Sequence, residues 1–409
     1  MRILYLTNLY PYNGNPVSGI FITRRLEEIA QRKIDFKVYA TVIQYCNFFK
    51  YFYYLKTRSF PSLYKELKNK NLEYYMYYKY IFCHSNIYDC FTRLFSKDKY
   101  YKYLQMKFFN VIENSEDISK FDIIHAHPTY PTGYIALMFK KKYGIPYVVT
   151  AHGSDIHTYP KSNLEIRKTT LEILNRADKV IFVSKRLLDI AVSVLEYKGN
   201  NFVIIPNGVD VRKFTPMDKF EIRRKLQLST DYKYVGFVGN LIPIKNAQLL
   251  PEIFNLVKKS YNNVKFIVIG FGELYSYIQR ECQKYNLDVI FTGIVSHDDI
   301  PFWLNALDVL VLPSAEEGWG NVILEALACG VPTVGSNAGG IPEVIGSEDF
   351  GRVVEFKENF VNIFANNIVE LLNHPLSPVK LRERALQYSW KNIIDKELEV
   401  YKSILNKIY

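Results

Sequence analysis

Short apolar and β-branched runs alternate with helix-length segments along nearly the whole chain, and this rhythm restricts the fold more than any other feature of the sequence. In the first half the expected strands are Ile3–Thr7, Phe36–Thr41, Asp122–Ala126, Tyr147–Ala151, Lys179–Ser184 and Phe202–Ile205. In the second half they are Tyr234–Gly239, Lys265–Ile269, Val289–Phe291, Val309–Leu312, Pro332–Gly335 and Arg352–Glu355. The runs are apolar throughout rather than alternating, as in parallel strands buried on both faces. Helical patterns such as residues 20–31 and 247–260 lie between them. Strand–helix alternation of this kind predicts α/β architecture, with doubly wound, Rossmann-like domains.

A chain of 409 residues, nearly half of them apolar, has enough material for two such domains with separate cores. The rhythm resets at Pro206-Asn207-Gly208, which is followed by a charged stretch and a fresh strand. The expected division is therefore a first domain over 1–206, a second over 207–387 and a terminal segment over 388–409. Residues 45–110, crowded with Tyr, Phe and Lys, show no strand–helix rhythm and read as an insertion in the first domain. The five cysteines are scattered, which argues against a disulfide framework and fits a reducing cytoplasm. The N-terminus reads as a buried strand rather than a signal peptide. No stretch reaches the roughly 20 apolar residues of a membrane-spanning helix. The net charge of +11 favours anionic partners, although abundant Lys, Asn, Ile and Tyr also fit an AT-rich coding sequence.

The stretch richest in chemistry runs from Pro313 to Gly330. It starts at the C-terminal end of a strand, where open α/β sheets bind ligands. Gly318 and Gly320 allow close backbone approach, and the following helix aims its free N–H groups at phosphate or sugar oxygens. Ile323, Leu324, Leu327 and Ala328 form one apolar face, and Glu325 lies off it. Glu317 precedes the helix. Two carboxylates so placed can accept hydrogen bonds from neighbouring hydroxyls. The plainer alternative is that Glu325 is a solvated helix residue and Glu317 an N-terminal charge favoured by the helix dipole.

The segment Glu317-Gly318-Trp319-Gly320, followed by Leu324-Glu325-Ala326-Leu327-Ala328-Cys329-Gly330-Val331-Pro332, resembles glycosyltransferase family 4, whose members are retaining enzymes of the GT-B fold. The likeness extends over nearly the whole chain. It includes Phe237-Val238-Gly239-Asn240-Leu241-Ile242-Pro243-Ile244-Lys245, Gly270-Phe271-Gly272, Asn207-Gly208-Val209-Asp210, Thr150-Ala151-His152-Gly153-Ser154-Asp155 and His125-Ala126-His127. The resemblance implies two Rossmann-like domains facing across a cleft, with a nucleotide-diphosphate sugar as substrate. Glu325 would bind the ribose hydroxyls. Glu317, with the backbone of Gly318, Trp319 and Gly320, would bind the donor sugar. Lys245 would stabilise the departing diphosphate, with Gly239 and Asn240 beside it. His127 would contact the sugar or handle a proton, His152 and Asp155 would line the same cleft, and His125 would be structural. The segment from Tyr388 onward would be the helix that crosses back to the first domain.

Three positions depart from the family. Asn240 stands where Arg is usual, Asn246 replaces the Gly after the lysine, and Ser18-Gly19 replaces a double glycine. The loss of Arg leaves Lys245 as the one cation expected from its loop. The Gly19 loop, which could cradle phosphate, is similar to that of teichuronic acid and exopolysaccharide enzymes, implying cell-surface glycan synthesis. No Asp-x-Asp motif is present, so a metal-independent reaction without a cofactor is expected. The aromatic and lysine runs 48–56 and 74–82 suggest an anionic membrane surface, and with it a glycan or lipid-linked acceptor. Nucleic acid suits that composition too but is not expected beside the donor motifs. The expected location is the cytoplasm, peripheral on the inner face of the plasma membrane. An epimerase or glycan phosphorylase of the same fold, or a degenerate glycan-binding protein, are the competing readings.

Overall fold

The computed structural model describes residues 1–10, 19–45, 78–85 and 97–406. The chain divides into two compact units, the first comprising Met1–Ile205 with Ile394–Tyr409 and the second Pro206–Ile393. The terminal helix Trp390–Leu405 thus begins in the second unit and continues in the first.

The first unit is built on seven parallel strands. They are β1 (Arg2–Thr7), β2 (Asp35–Tyr45), β3 (Tyr78–Ser85), β4 (Ile123–His127), β5 (Tyr147–Ala151), β6 (Lys179–Phe182) and β7 (Phe202–Ile204). Their spatial order is β3-β2-β1-β4-β5-β6-β7, so the order reverses between β1 and β4. The second unit has six parallel strands. They are β8 (Lys233–Val238), β9 (Val264–Ile269), β10 (Val289–Gly293), β11 (Val309–Leu312), β12 (Thr333–Ser336) and β13 (Gly351–Val354). Here the order is β10-β9-β8-β11-β12-β13, with the reversal between β8 and β11. At such a reversal the loops leaving neighbouring strands turn to opposite faces and open a crevice for ligand. In the second unit those loops are the ones that carry Lys245 and Glu317.

Burial follows the sequence pattern. β4, β5 and β11 are buried along their whole length, as the unbroken apolar runs require. In the helix Asn321–Ala328, Ile323, Leu324, Leu327 and Ala328 are fully buried, and the larger of these each contribute about 1.5–3 kcal/mol.

The stretch 45–110 is not simply an insertion. β3 lies inside it, pairing with β2 from Val38 opposite Tyr78 to Tyr45 opposite Ser85, and so does most of the helix Lys97–Ser115. The strand Tyr-Lys-Tyr-Ile-Phe-Cys-His-Ser escaped the strand pattern because it is an edge strand, whose interspersed polar residues resemble the aromatic-rich sequence around it. The aromatic run 48–56 and residues 74–77 of the second run lie outside the described residues. Among the described residues, no helix is long and apolar enough to cross a membrane.

Candidate active site

β8 is followed by Gly239, whose φ of 156° places it outside the usual range for a side-chain-bearing residue, and then by the exposed Asn240. A Cβ on Gly270, after β9, would run into the Gly239 carbonyl, and one on Gly272 into that of Leu241. These glycines let the two strand-end loops lie backbone to backbone. Leu241 N donates to Phe271 O at 3.1 Å, and Leu274 N to Leu241 O at 3.0 Å. The chain then makes a short turn, Pro243–Lys245, ending at Asn246 with φ 49°. Asn is among the few side-chain-bearing residues that adopt this left-handed conformation readily, which explains how it stands in for Gly. Its Nδ2 donates to Pro313 O at 3.0 Å, and Ala315 N donates to Ile244 O at 2.9 Å. The Lys245 turn is therefore fastened to the loop after β11.

That fastening brings Lys245 Nζ into an ion pair with Glu317 Oε2, with both side chains partly open to solvent. Gly320, at φ 96°, precedes the helix Asn321–Ala328, whose first turn has no side-chain cap, while Ile323 N donates to Gly320 O at 3.0 Å. Glu325 is half-buried on this helix, its Oε1 3.3 Å from His297 Nε2. Trp319 is only 4% exposed and packs on Tyr388 with ring centroids 5.5 Å apart. Its indole faces inward, so this position offers a ligand its backbone and not its ring.

In the first unit, β4 ends at His127, one strand from β1. His125 is fully buried, its Nδ1 2.5 Å from Tyr401 Oη and its Nε2 2.8 Å from Thr150 Oγ1, which is a structural setting. His127 Nδ1 lies 3.0 Å from His152 Nε2. Burial, with the nearby charges of His125 and Arg25, holds both His127 and His152 well below the usual histidine range. Both rings are thus neutral, and one N–H···N bond joins them. The remaining nitrogens, His127 Nε2 and His152 Nδ1, are buried without a partner among the described residues. Whichever ring donates, the pair offers one N–H donor and one bare acceptor nitrogen.

Asp155 has a bracing role in the structure. It was expected to line a ligand cleft, but it is 1% exposed and its oxygens accept backbone N–H bonds from Thr129, His152 and Gly153 at 2.8–3.0 Å. Burial pushes its carboxyl up, and these N–H bonds oppose the rise. Asp155 therefore braces the loop that presents His152. Gly19 caps the helix Ile20–Gln31 at φ 59°, and a Cβ there would run into the Leu9 carbonyl. Its neighbours 11–18 lie outside the described residues.

Sequence reasoning missed three features. His297 is a lone loop histidine whose partners are far away in sequence. Gly339 and Gly340 lie so close to Glu317, Gly318 and Trp319 that a Cβ on either would strike that backbone, and their doubling was the available signal. Arg25 and Glu397 form a buried ion pair, each occupying a position in an otherwise apolar helix stripe. Among the described residues no three His, Cys, Asp or Glu side chains gather as a metal site would need.

Two Rossmann-like units, the second carrying a lysine, two glutamates and glycine-lined backbone at its strand reversal, define a nucleotide-sugar-type group transferase of the GT-B fold. Residues 218–389 match the model of the glycosyl transferases group 1, and residues 80–213 match that of Glycosyltransferase Family 4. The chain belongs to these glycosyltransferases. It is 30% identical over 262 residues to the UDP-Gal:alpha-D-GlcNAc-diphosphoundecaprenol alpha-1,3-galactosyltransferase of Escherichia coli, covering 62% of this chain and 66% of that one. It is 26% identical to TuaC of Bacillus subtilis, a glycosyltransferase assigned to teichuronic acid biosynthesis, over 85% of this chain and 83% of that one. Its fold is similar to that of Anabaena HepE, solved in complex with UDP, with a TM-score of 0.72 at 18% identity over 98% and 100% of the two chains.

Proposed function

We propose that the chain is a retaining hexosyltransferase that moves a hexosyl group from a nucleotide-diphosphate sugar to a glycan or lipid-linked glycan of the cell envelope. The observation that carries this reading is the collection of Lys245, Glu317 and Glu325 at the strand reversal of the second unit. As the bond between the sugar C1 and the diphosphate breaks, its electron pair goes to the phosphate oxygen. Lys245, with the positive dipole end of the helix Asn321–Ala328, meets that growing charge, and no resident metal is invoked. Glu317 and the backbone of Gly318–Gly320 hold sugar hydroxyls, and Glu325 accepts from the ribose. In the first unit, His127 and His152 together present one N–H donor and one acceptor nitrogen. UDP in HepE, and UDP-Gal with a diphosphoundecaprenol acceptor in the E. coli relative, support a uridine donor and a lipid-linked acceptor.

Replacing Glu325 by Gln is expected to weaken nucleoside diphosphate binding by about tenfold to a hundredfold, because an amide accepts at one atom only and a charge-assisted bond is worth about 1.5–3 kcal/mol. Isothermal titration measures it, and unchanged affinity would remove Glu325 from the site.

The stereochemical and acceptor claims share one experiment. An α-linked donor is supplied with a lipid-linked glycan in anionic or in neutral vesicles, and the product anomer is read by nuclear magnetic resonance. An α-product, formed faster on anionic vesicles, is expected from a basic chain of net charge +11. A β-product overturns retention, and equal rates on both vesicles overturn a membrane-surface contact.

A further inference from the structure

The second unit contains a polar chain that leads into Glu325 from outside the expected ligand motifs. Lys213 Nζ lies 2.7 Å from Asp298 Oδ1 and 2.8 Å from His297 Nδ1. His297 Nε2 in turn lies 3.3 Å from Glu325 Oε1. The ring of His297 stands nearly edge-on to the buried ring of Phe214, with centroids 5.5 Å apart and an interplanar angle of 70°. Lys213 and His297 are both mostly shielded from solvent, with side-chain exposures of 15% and 20%.

These contacts determine which ring nitrogen carries the proton. An ammonium group donates and cannot accept, so His297 Nδ1 must accept from Lys213. The ring proton then sits on Nε2, which donates to Glu325. The direction of the chain is Lys213 to His297 to Glu325, each step a donor meeting an acceptor. A carboxylate on an exposed helix face has freedom about its side-chain torsions. Here one oxygen is held by an imidazole that is itself bonded by an ammonium at Nδ1 and packed against a phenyl ring. The second oxygen, Oε2, then stays turned to one direction, which suits a ligand that presents two adjacent hydroxyls.

We infer that His297 is a positioning residue for Glu325, orienting its carboxylate toward the ribose diol of the bound nucleotide, with Lys213 setting the His297 tautomer. The inference rests on the reading of Glu325 as the ribose-binding carboxylate. It adds that nucleotide affinity depends on a loop histidine that does not itself touch the nucleotide. Without His297 the carboxylate must be ordered at the moment of binding, and affinity falls for ligands that use it.

The test is isothermal titration with the nucleoside diphosphate, among UDP, GDP and ADP, that binds the wild-type chain most tightly, and with its 2′,3′-dideoxy analogue. H297A is expected to weaken the ribonucleotide by about tenfold, the scale of one hydrogen bond to a charged group, and to leave the dideoxy analogue within about twofold. H297Q, whose amide N–H can reach the place of Nε2, is expected to restore affinity to within about threefold of wild type. In the background of Glu325→Gln, H297A is expected to cost little more, because the carboxylate it orients is gone. Equal losses for the ribo and dideoxy ligands, no rescue by H297Q, or additive losses in the double variant would overturn the positioning role. If Glu325→Gln itself leaves ribonucleotide affinity unchanged, the reading of Glu325 fails and the positioning role fails with it. If Glu325→Gln weakens binding while H297A does not, only the positioning role fails.

Discussion

Replacing Lys245 by Ala is expected to lower turnover by about 10²–10³-fold while changing donor affinity by less than about tenfold. The charge that Lys245 meets is small in the bound donor and grows as the sugar–phosphate bond breaks, so its stabilisation is concentrated in the transition state. The effect should be large because Asn240, exposed beside the same loop, brings no charge of its own. The Lys245–Glu317 pair adds a second reason. With Lys245 gone, the Glu317 carboxylate stands without the partner that the fold provides, near where the diphosphate would bind. Lys245→Arg keeps the charge and is expected to recover part of the rate. Steady-state kinetics with a fixed donor decide the matter, and a pure rise in KM at constant kcat would contradict the leaving-group role.

The second large effect concerns the fold of the first unit. Arg25 and Glu397 are both fully buried and paired, and Glu397 also accepts from Tyr401 and Tyr5. Glu397→Gln removes the opposite charge that Arg25 is paired with, and breaking a buried ion pair in this way typically costs about 3–5 kcal/mol. For a unit of this size the thermal midpoint should fall by about 6–12 °C or more. Burial pushes the Glu397 carboxyl up, but the Arg25 charge and the bonds from His125 and Tyr401 outweigh it and bring it to about 2, against an ordinary 4.5. Because the folded value is the lower one, the pair's stabilisation is present above pH 4.5 and is lost as pH falls toward 2, an effect of about 3 kcal/mol. The buried histidines act on the same side. His125, His127 and His152 are held below the usual 6.5, chiefly by burial, so the unfolded chain takes up protons first as pH drops through that value. Stability should therefore decline from about pH 6.5 downward and steepen below 4.5. The double variant Arg25→Met with Glu397→Leu should recover much of the lost stability and flatten the lower part of the profile. A Glu397→Gln midpoint equal to that of the wild type would contradict this.

The strands were legible where the fold buries them on both faces. Tyr147–Ala151 and Val309–Leu312 were bounded to the residue, since a doubly covered parallel strand leaves an unbroken apolar run. β3 was not legible because its tyrosines and lysine merge in the sequence with the aromatic- and lysine-rich residues around it. The Lys245 and Glu317–Glu325 loops were placed together by the family resemblance, and each follows a strand and carries glycine where backbone approaches backbone. The bracing role of Asp155 was not legible, because a carboxylate at the start of a short helix satisfies loop N–H groups as readily as it meets a ligand. His297 gave no signal at all. Its partners, Lys213 and Glu325, come from segments brought together only by the folded sheet, and no spacing along the chain records that. Arg25 did leave a trace, a lone charge in the stripe Ile22, Leu26, Ile29, but its meaning depends on Glu397 at the far end of the sequence.

The most direct measurement is a donor panel. The intact chain is incubated with UDP-, GDP- and ADP-linked hexoses in the presence of a chelator, following both thermal stabilisation and release of the nucleoside diphosphate. The expected result is that one nucleotide class raises the melting midpoint and one of its sugars is slowly turned over even without acceptor, with Glu325→Gln abolishing most of the stabilisation and Lys245→Ala most of the release. A chain that neither is stabilised by nor turns over any of these donors, or that does so only when a divalent metal is restored, would contradict a metal-independent nucleotide-sugar site built on Lys245, Glu317 and Glu325.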